Sequence, residues 1–150
     1  MASSDGLAIR ATRMEDLPAL VEIDAMASGT SRAEYLRDKV RQALDSQQPT
    51  MISLVAESEG KVVGFLMGQV FKGEFGIPEA VATVDTVDIH PDFQGQGTGR
   101  RLMGEFLLRT KRAGAVQVRT IVDWNQWNLL GFFRTLGFAP GTGIVLQRRV

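Results

Sequence analysis

The sequence predicts an α/β (α+β) fold: one mixed, largely antiparallel sheet of about seven short strands, with helices on both faces. Two observations lead to this prediction. Apolar, β-branched runs at 51–57 and 61–71 flank a Ser-Glu-Gly-Lys turn, which is typical of an antiparallel hairpin. Strand-like runs at 83–89 and 116–122 are separated by a helical pattern, which is typical of a strand–helix–strand crossover. The hairpin and the crossover together require a sheet with both kinds of strand pairing.

Length and composition restrict the architecture and the function. The 150 residues suit a single domain, which we place at 7–150 after a loose leader at 1–6. The formal net charge of +0 provides no overall field that would attract nucleic acid or an anionic membrane. The absence of cysteine and the single histidine exclude a thiol nucleophile and a histidine-rich metal site. Because the sequence contains neither a membrane-length apolar run nor a secretory signal, we expect a cytoplasmic protein.

The N-terminal third is predicted to form one strand and two helices. Leu7 to Ala11 alternates between apolar and other residues, as in a short strand. A Ser or Thr followed three residues later by Glu, the spacing of a capping box, occurs at Thr12 and at Ser31. We therefore expect helices that start at these residues and run to about Ala27 and Leu44.

The run at 61–71 carries apolar residues on both faces, so we place it in the middle of the sheet. Its glycines, Gly64 and Gly68, allow another element to approach closely. A loop follows at 72–78. Its Phe75 could pack against the core or line a pocket, and we favour packing.

The C-terminal third is predicted to continue the alternation. A helix ends near Arg112, and a strand follows at 116–122. Asn125 has the character of an N-cap for a helix that Gly137 ends. Ile144 to Arg149 is predicted to form a last strand, whose unprotected apolar edge suggests a homodimer.

A glycine-rich loop separates the run at 83–89 from the helix that follows. Gly95, Gly97 and Gly99 occupy every second position, and Arg100 and Arg101 come directly after them. The start of a helix presents N–H groups without intrahelical partners, and the helix dipole favours an anion there. The loop is therefore a candidate phosphate site.

Two known phosphate loops differ from this one in spacing. A Walker A loop needs Lys and then Ser or Thr after its last glycine, where this chain has two arginines. A dinucleotide fingerprint needs Gly-x-Gly-x-x-Gly directly after the strand, whereas the spacing here is Gly-x-Gly-x-Gly after an intervening turn. A Rossmann-like nucleotide-binding domain, with Asp123 as the acid that binds the ribose, remains an alternative.

The pattern Gln-x-x-Gly-x-Gly, formed by Gln94, Gly97 and Gly99, follows a strand that ends in Val-x-Ile-His-Pro-Asp-Phe. It resembles the coenzyme A loop of the GNAT superfamily of acyl-CoA-dependent N-acyltransferases. The likeness extends to Gly137-Phe138 after a helix and to the order of elements over nearly the whole chain. The resemblance implies acetyl-CoA as co-substrate, an amine acceptor, and a sheet splayed beside the strand at 83–89. It implies a cofactor site formed by Val87, Ile89, Gln94, Gly95, Gln96, Gly97, Thr98, Gly99, Arg100 and Asn125.

The same resemblance suggests catalytic groups. Asp85 lies where several members of the family have a catalytic Glu, which makes it the candidate base. Asp88 lies three residues on, so it should point to the opposite face unless a bulge intervenes, and we expect it to meet solvent or anchor a turn. Many members have a proton-donating tyrosine where this chain has Phe133. The remaining candidate donors are a water and Tyr35, the only tyrosine.

These observations predict an N-acetyltransferase that uses acetyl-CoA and acts on an amine of a small molecule or a protein. Because Phe133 cannot donate a proton, an acyl-CoA-binding sensor with little catalysis is the alternative. The sequence does not indicate which amine is the acceptor.

Overall fold

The computed structural model describes residues 6–45, 47 and 50–150. These residues form two compact units, with the boundary in the chain between Thr120 and Ile121. Of the predicted leader, residues 1–5 lie outside the described residues, and the single domain at 7–150 stays a prediction. Within the described residues, none of the helices combines the length and the hydropathy that a membrane crossing requires.

The first unit contains one five-stranded sheet in which the strands follow the order of the chain. The strands are β1 (Leu7–Ala11), β2 (Met51–Ser58), β3 (Lys61–Lys72), β4 (Ala80–Ile89) and β5 (Ala115–Arg119). Neighbours from β1 to β4 are antiparallel, and β4 and β5 are parallel. The mixed sheet and the central position of β3 are confirmed, while the expected strand count is too high. A dinucleotide-binding domain needs a mostly parallel sheet, so the Rossmann-like alternative is wrong.

Helices cover both faces of this sheet, as predicted. The helices are α1 (Leu17–Ser28), α2 (Ala33–Leu44) and α3 (Thr98–Arg112) in the first unit, and α4 (Trp127–Thr135) in the second. On one face, α1 and α2 bury a core with the sheet that consists of Leu20, Ile23, Leu36, Val40, Val55, Phe65 and Met67. On the other face, α3 contributes Leu102, Met103 and Phe106, which are fully buried.

Gly64 and Gly68 of β3 allow α3 to lie close to the sheet. A Cβ atom at Gly68 would overlap the carbonyl oxygen of Thr83 and the ring of Phe106. A Cβ atom at Gly64 would lie 2.8 Å from Cδ1 of Ile89. The close approach predicted at both glycines is therefore confirmed.

Both predicted capping boxes are wrong, because neither Thr12 nor Ser31 is the N-cap residue of the helical segment that follows it. Thr12 is buried, and its Oγ1 lies 2.7 Å from Oγ of Ser53, in a hydrogen bond that joins the end of β1 to β2. A short 3₁₀ turn, Met14–Asp16, precedes α1. The second helix begins at Ala33 rather than at Ser31, and its N-cap position is Arg32.

Two other expectations in the first unit also differ from the structure. Phe75 is 91% exposed, so it does not pack against the core. Its φ angle of 52° belongs to a tight turn, Glu74–Gly76, that directs the ring outward. The strand predicted at 116–122 ends at Arg119, where its pairing with β4 also ends.

The second unit is built around α4. The N-cap of this helix is Gln126 rather than Asn125, and Gly137 follows its end with a φ angle of 90°. The ring of Phe133 packs edge-on against Phe132 and Phe138, with centroids 5.4 Å and 5.0 Å apart. The strand predicted at 144–149 is absent from the described residues. An apolar alternation makes a strand only where a sheet edge pairs with it, and Ile144 and Leu146 are more than 80% exposed.

Candidate active site

The loop between β4 and α3 takes its shape from glycine. A 3₁₀ turn, Pro91–Phe93, ends the strand, and Gly95 and Gly97 follow with φ angles of 75° and 83°. Residues with a Cβ rarely adopt this left-handed conformation. Gly97 is the N-cap of α3, since its carbonyl oxygen accepts the first helical hydrogen bond, from Arg101 N at 3.0 Å. The glycine spacing therefore directs the chain into a helix N-terminus.

Side chains of the loop tie it to the end of β4. Gln94 Nε2 donates to the carbonyl oxygen of Ile89 at 3.2 Å, and Gln96 Nε2 donates to that of Asp92 at 3.2 Å. His90 Nδ1 accepts from Asp92 N at 3.1 Å. The two glutamines thus brace the main chain, while the first turn of α3 presents N–H groups that have no partner within the helix.

The edge of β4 beside this loop is open toward β5. His90 N donates to the carbonyl oxygen of Val63 in β3 at 2.8 Å. Backbone groups alternate in direction along an antiparallel strand, so those of Val87 and Ile89 point away from β3. The register of β5 with β4 ends at Thr83. Over the described first unit, the strands therefore part before they reach Val87, as the resemblance implies.

A bulge in β4 changes the direction of the two aspartates. Thr86 pairs with Met67 and Val84 with Gly68, so Asp85 is the extra residue. Asp85 forms an ion pair with Lys39 Nζ of α2 at 3.2 Å, and Asp88 faces Asp24 of α1. Both carboxyl groups therefore lie on the face that α1 and α2 cover. In a regular strand Asp85 and Asp88 would point to opposite faces, as we expected. The bulge at Asp85 interrupts this alternation, so their side chains point to the same face.

Asp24 and Asp88 form a carboxyl pair that Arg32 completes. Arg32 Nη2 and Nε donate to the two oxygens of Asp24 at 2.6 Å and 2.9 Å. Burial by itself would raise the pKa of Asp24, but hydrogen bonds from Arg32 and Asp88 hold it below its usual range. Burial raises the pKa of Asp88 to about 7, aided by the hydrogen bond to Asp24 and the charge of Asp24 and opposed by Arg32. Asp88 is therefore not the solvated or turn-anchoring residue that we expected.

Tyr35 lies beside the same groups. The guanidinium of Arg32 and the ammonium of Lys39 lie 5.0 Å and 5.8 Å from the centre of its ring, and the residue is 39% exposed. These two cations pair with Asp24 and Asp85, respectively. The structure thus brings the two predicted catalytic candidates, Tyr35 and Asp85, into one cluster. We call the whole group the acceptor-face cluster; it comprises Asp24, Arg32, Tyr35, Lys39, Asp85 and Asp88.

Sequence reasoning missed four members of this cluster: Asp24, Arg32, Lys39 and Asp88. One signal was present, because Asp24 follows Ile23 directly within the apolar stripe of α1. A carboxylate in that position is buried only when it is paired, and it is 1% exposed here. Asn125 lies in the second unit, two residues before α4 begins, and its role in cofactor binding stays a prediction.

The match to a known family covers β4 and the glycine loop, whereas α1 and α2 precede the matched residues. Residues 49–140 match the family model of the acetyltransferase (GNAT) domain, which is more than half of the chain. The chain belongs to the GNAT family. The resemblance carried by the glycine loop is confirmed.

Two relatives found by sequence similarity are named as acetyltransferases. The chain is 29% identical to an uncharacterized N-acetyltransferase of Porphyra purpurea, over 79% of this chain and 64% of the relative. It is 28% identical to the mycothiol acetyltransferase of Propionibacterium freudenreichii subsp. shermanii, over 90% of this chain and 44% of the relative. The GNAT chain therefore spans less than two-thirds of the length of these relatives.

Solved structures share the fold. A transcriptional regulator from Bacillus halodurans C-125 aligns with a TM-score of 0.80 and 22% identity, over 96% of this chain and 99% of the other. An aminoglycoside N-acetyltransferase solved with CoA aligns with a TM-score of 0.81 and 13% identity, over 95% and 94%. At these identities the likeness shows the GNAT fold alone.

Proposed function

We propose that this GNAT protein is an N-acetyltransferase that transfers the acetyl group of acetyl-CoA to an amine of a small molecule or a protein. One observation carries the proposal: the left-handed Gly95–Gly97 loop opens α3 beside the edge of β4 from which β5 parts after Thr83, within the described first unit. An anion site and the strand amides that point away from β3 are thereby adjacent, as a pyrophosphate followed by a thioester arm requires. The names of the relatives and the CoA complex of a structural neighbour support the same conclusion.

In this proposal the cofactor is held mainly by main-chain groups. The pyrophosphate binds at the start of α3, over Gly95 to Arg100, where the helix dipole favours an anion. The N–H groups of Val87 and Ile89 point away from β3 and donate to the cofactor arm and to the thioester carbonyl. Hydrogen bonds to that oxygen stabilise the negative charge that develops during acyl transfer.

The reaction also needs a group that removes a proton from the amine. Asp85, the base suggested by the sequence, lies on the acceptor face but is paired with Lys39, which it would have to release. Tyr35, the proton donor suggested by the sequence, lies in the same cluster. A thiolate is a good leaving group, so this donor matters less than the base.

The alternative, an acyl-CoA sensor with little catalysis, is favoured by Phe133. This residue is 5% exposed within an aromatic cluster and has no proton to donate. Both functions require binding of the cofactor, but only the acetyltransferase requires turnover. Thiol release from acetyl-CoA, measured with a panel of primary amines, separates them.

We also propose a homodimer and a cytoplasmic location. The exposed apolar segment Ile144–Leu146 supports self-association, although it forms no strand. Light scattering at micromolar concentration tests the first proposal, and a monomer there would contradict it.

Calorimetry of acetyl-CoA binding tests the cofactor site. Gly97→Val forces a β-branched residue to a φ angle of 83°, so we expect at least about tenfold weaker binding. Gly104→Val is the matched control, because Gly104 lies in α3 with no atom near an added Cβ and without the left-handed conformation. Equal affinities for parent and Gly97→Val would show that the loop does not hold the cofactor.

A further inference from the structure

Both carboxylate oxygens of Asp24 accept hydrogen bonds from Arg32. The side chain of Asp24 is 1% exposed, and the guanidinium of Arg32 donates to Oδ1 and Oδ2 at 2.6 Å and 2.9 Å. Such a fork-to-fork pair is the strong form of a charged hydrogen bond. It fixes the position of Asp24 at the inner side of α1, beside β4.

Asp88 reaches the same place from the strand. Its Oδ2 is buried, and no donor among the described residues satisfies it. The group that faces it is the carboxyl group of Asp24. Two ionised carboxylates this close, in a buried position, repel each other and leave polar atoms unsatisfied. One proton between them removes both difficulties, because a protonated carboxyl group can donate a hydrogen bond.

We propose that Asp24 and Asp88 share one proton and that Asp88, when ionised, is the base that accepts a proton from the acceptor amine. Asp24 and Arg32 are positioning residues, which act through Asp88. The catalytic part of this proposal rests on the proposed acetyl transfer, whereas the shared proton does not.

The charged groups around Asp88 come from three elements. Asp24 faces it from α1, Arg32 faces it from the N-cap of α2, and its partner in β3 is the uncharged Phe65. Asp85 is the nearest carboxylate in β4, but its charge is paired with Lys39 and its Oδ1 accepts from Thr83 at 3.4 Å. Asp88 is thus the carboxyl group of β4 without a cation of its own.

The proton affinity of Asp88 suits a base. Burial raises its pKa to about 7, and a general base is most effective when its pKa lies near the working pH. At neutral pH a large part of the protein then carries an ionised Asp88. An Asp with its ordinary pKa of about 3.9 would be a much weaker base.

The proposed step balances in protons and bonds. The acceptor ammonium gives one proton to the Asp88 carboxylate, directly or through one water, and becomes a neutral amine. The amine nitrogen attacks the thioester carbonyl carbon, the C–N bond forms, and the C–S bond breaks. The second proton of the nitrogen goes to the departing thiolate, which becomes the thiol of CoA. Asp88 then releases its proton to solvent.

The first test needs no activity. In the unfolded chain Asp88 ionises near pH 3.9, whereas in the folded chain it holds its proton to about pH 7. The folded form therefore binds the extra proton between these values, and the pair contributes stability that is lost as pH rises through that window. We expect the unfolding equilibrium constant of the parent, relative to Asp88→Asn, to rise by up to about tenfold per pH unit there.

Chemical unfolding at a series of pH values measures this difference. Asp24→Asn should reduce the same pH dependence, and it serves as the second variant if Asp88→Asn does not fold. Asp85→Asn is the matched control, since it removes a carboxylate from the same strand and face but leaves the Asp24–Asp88 pair, so the loss of stability over that pH window should remain. A curve for Asp88→Asn that runs parallel to that of the parent over this window would overturn the shared proton.

The second test uses the pH dependence of kcat/KM. Removing the negative charge in Asp24→Asn lowers the pKa of Asp88, so the acid limb should move to lower pH by about one unit or more. Arg32→Gln removes the cation that opposes the shift, so the limb should move to higher pH, and Arg32→Lys should restore it in part. Asp38→Asn, on the exposed side of α2, is the control and should leave the limb in place.

The results separate the two proposals. If Asp24→Asn and Arg32→Gln leave the acid limb where the parent has it, the role of the pair in catalysis is refuted even though acetyl transfer stands. If the parent transfers no acetyl group to any amine, the proposed function and the catalytic role fail together. The unfolding experiment then still decides whether the two carboxyl groups share a proton.

Discussion

The two faces of β4 differ in chemistry although they belong to one strand. On the α3 face, fully buried apolar residues such as Leu102 and Phe106 lie against the glycines of β3. On the α1–α2 face, the apolar core lies against the middle of the sheet, and the acceptor-face cluster of aspartates, cations and Tyr35 lies beside β4. The first arrangement fixes the position of the cofactor loop through packing. The second brings together the ionisable groups to which we assign the exchange of protons with the substrate.

The difference matters because buried charge is not an efficient way to stabilise a fold. A buried ion pair recovers little more than its desolvation cost, and apolar residues of the same size often serve as well. The cluster around Asp24 therefore indicates a use other than stability. The apolar face needs no such explanation.

The largest effect should come from filling the α3 face. Gly68→Val would place side-chain atoms where the Thr83 carbonyl oxygen and the Phe106 ring already lie. We expect a loss of about 3 kcal/mol or more in the free energy of unfolding, or a failure to fold. Urea unfolding beside the Gly104→Val control measures it, and parent-like stability would show that α3 does not depend on the close approach.

The next largest effect should come from the acceptor face. Asp88→Asn removes the proposed base and keeps the shape of the side chain, so turnover should fall by about a hundredfold. The affinity for acetyl-CoA should remain, because the proposed cofactor contacts of β4 are main-chain groups, which the substitution keeps, and the loop is held by its own hydrogen bonds. Steady-state kinetics together with calorimetry measures both quantities. Retained turnover would remove Asp88 from the reaction.

A smaller effect is expected at the neighbouring carboxylate. Asp85→Asn leaves Lys39 without its ion pair but removes no base under this account, so turnover should fall by less than about tenfold. The ratio of turnover in Asp85→Asn to that in Asp88→Asn is the informative number. A ratio below one would return the role of base to Asp85, as the sequence suggested.

The smallest effect is expected at Tyr35. Tyr35→Phe keeps the ring that Arg32 and Lys39 contact and removes only the hydroxyl. Because a thiolate leaves without much help, we expect turnover within about threefold of the parent, compared with the hundredfold typical of a needed acid. A larger loss in single-turnover experiments would identify Tyr35 as the proton donor.

The sequence predicted the α3 face better than the acceptor face, for a physical reason. Gly95 and Gly97 mark left-handed φ angles, and Gly64 and Gly68 mark close approaches, and glycine is the residue type that meets either requirement. The period of the hydrophobic residues predicts the strands and the helices on both faces. Each of these features is visible in the residue types of one segment, even where the approaching element, such as Phe106 at Gly68, is distant in the sequence.

The acceptor face depends on contacts between distant residues. No residue type marks the bulge at Asp85, and in a regular strand the two aspartates would point to opposite faces. The pairing of Arg32 with Asp24 joins two helices, and no spacing within one helix predicts it. The prediction of a C-terminal strand was wrong for a similar reason. The alternation of apolar residues lies within the segment itself, whereas the sheet edge that would have to pair with it lies elsewhere in the chain.

The central claim is that this GNAT chain transfers an acetyl group from acetyl-CoA to an amine. The most direct measurement is the release of CoA thiol from acetyl-CoA by the purified protein in the presence of pooled primary amines, with Gly97→Val in parallel. The account predicts amine-dependent release by the parent and strongly reduced release by Gly97→Val at the same cofactor concentration. Tight acetyl-CoA binding by the parent without amine-dependent release would contradict it and would support the sensor instead.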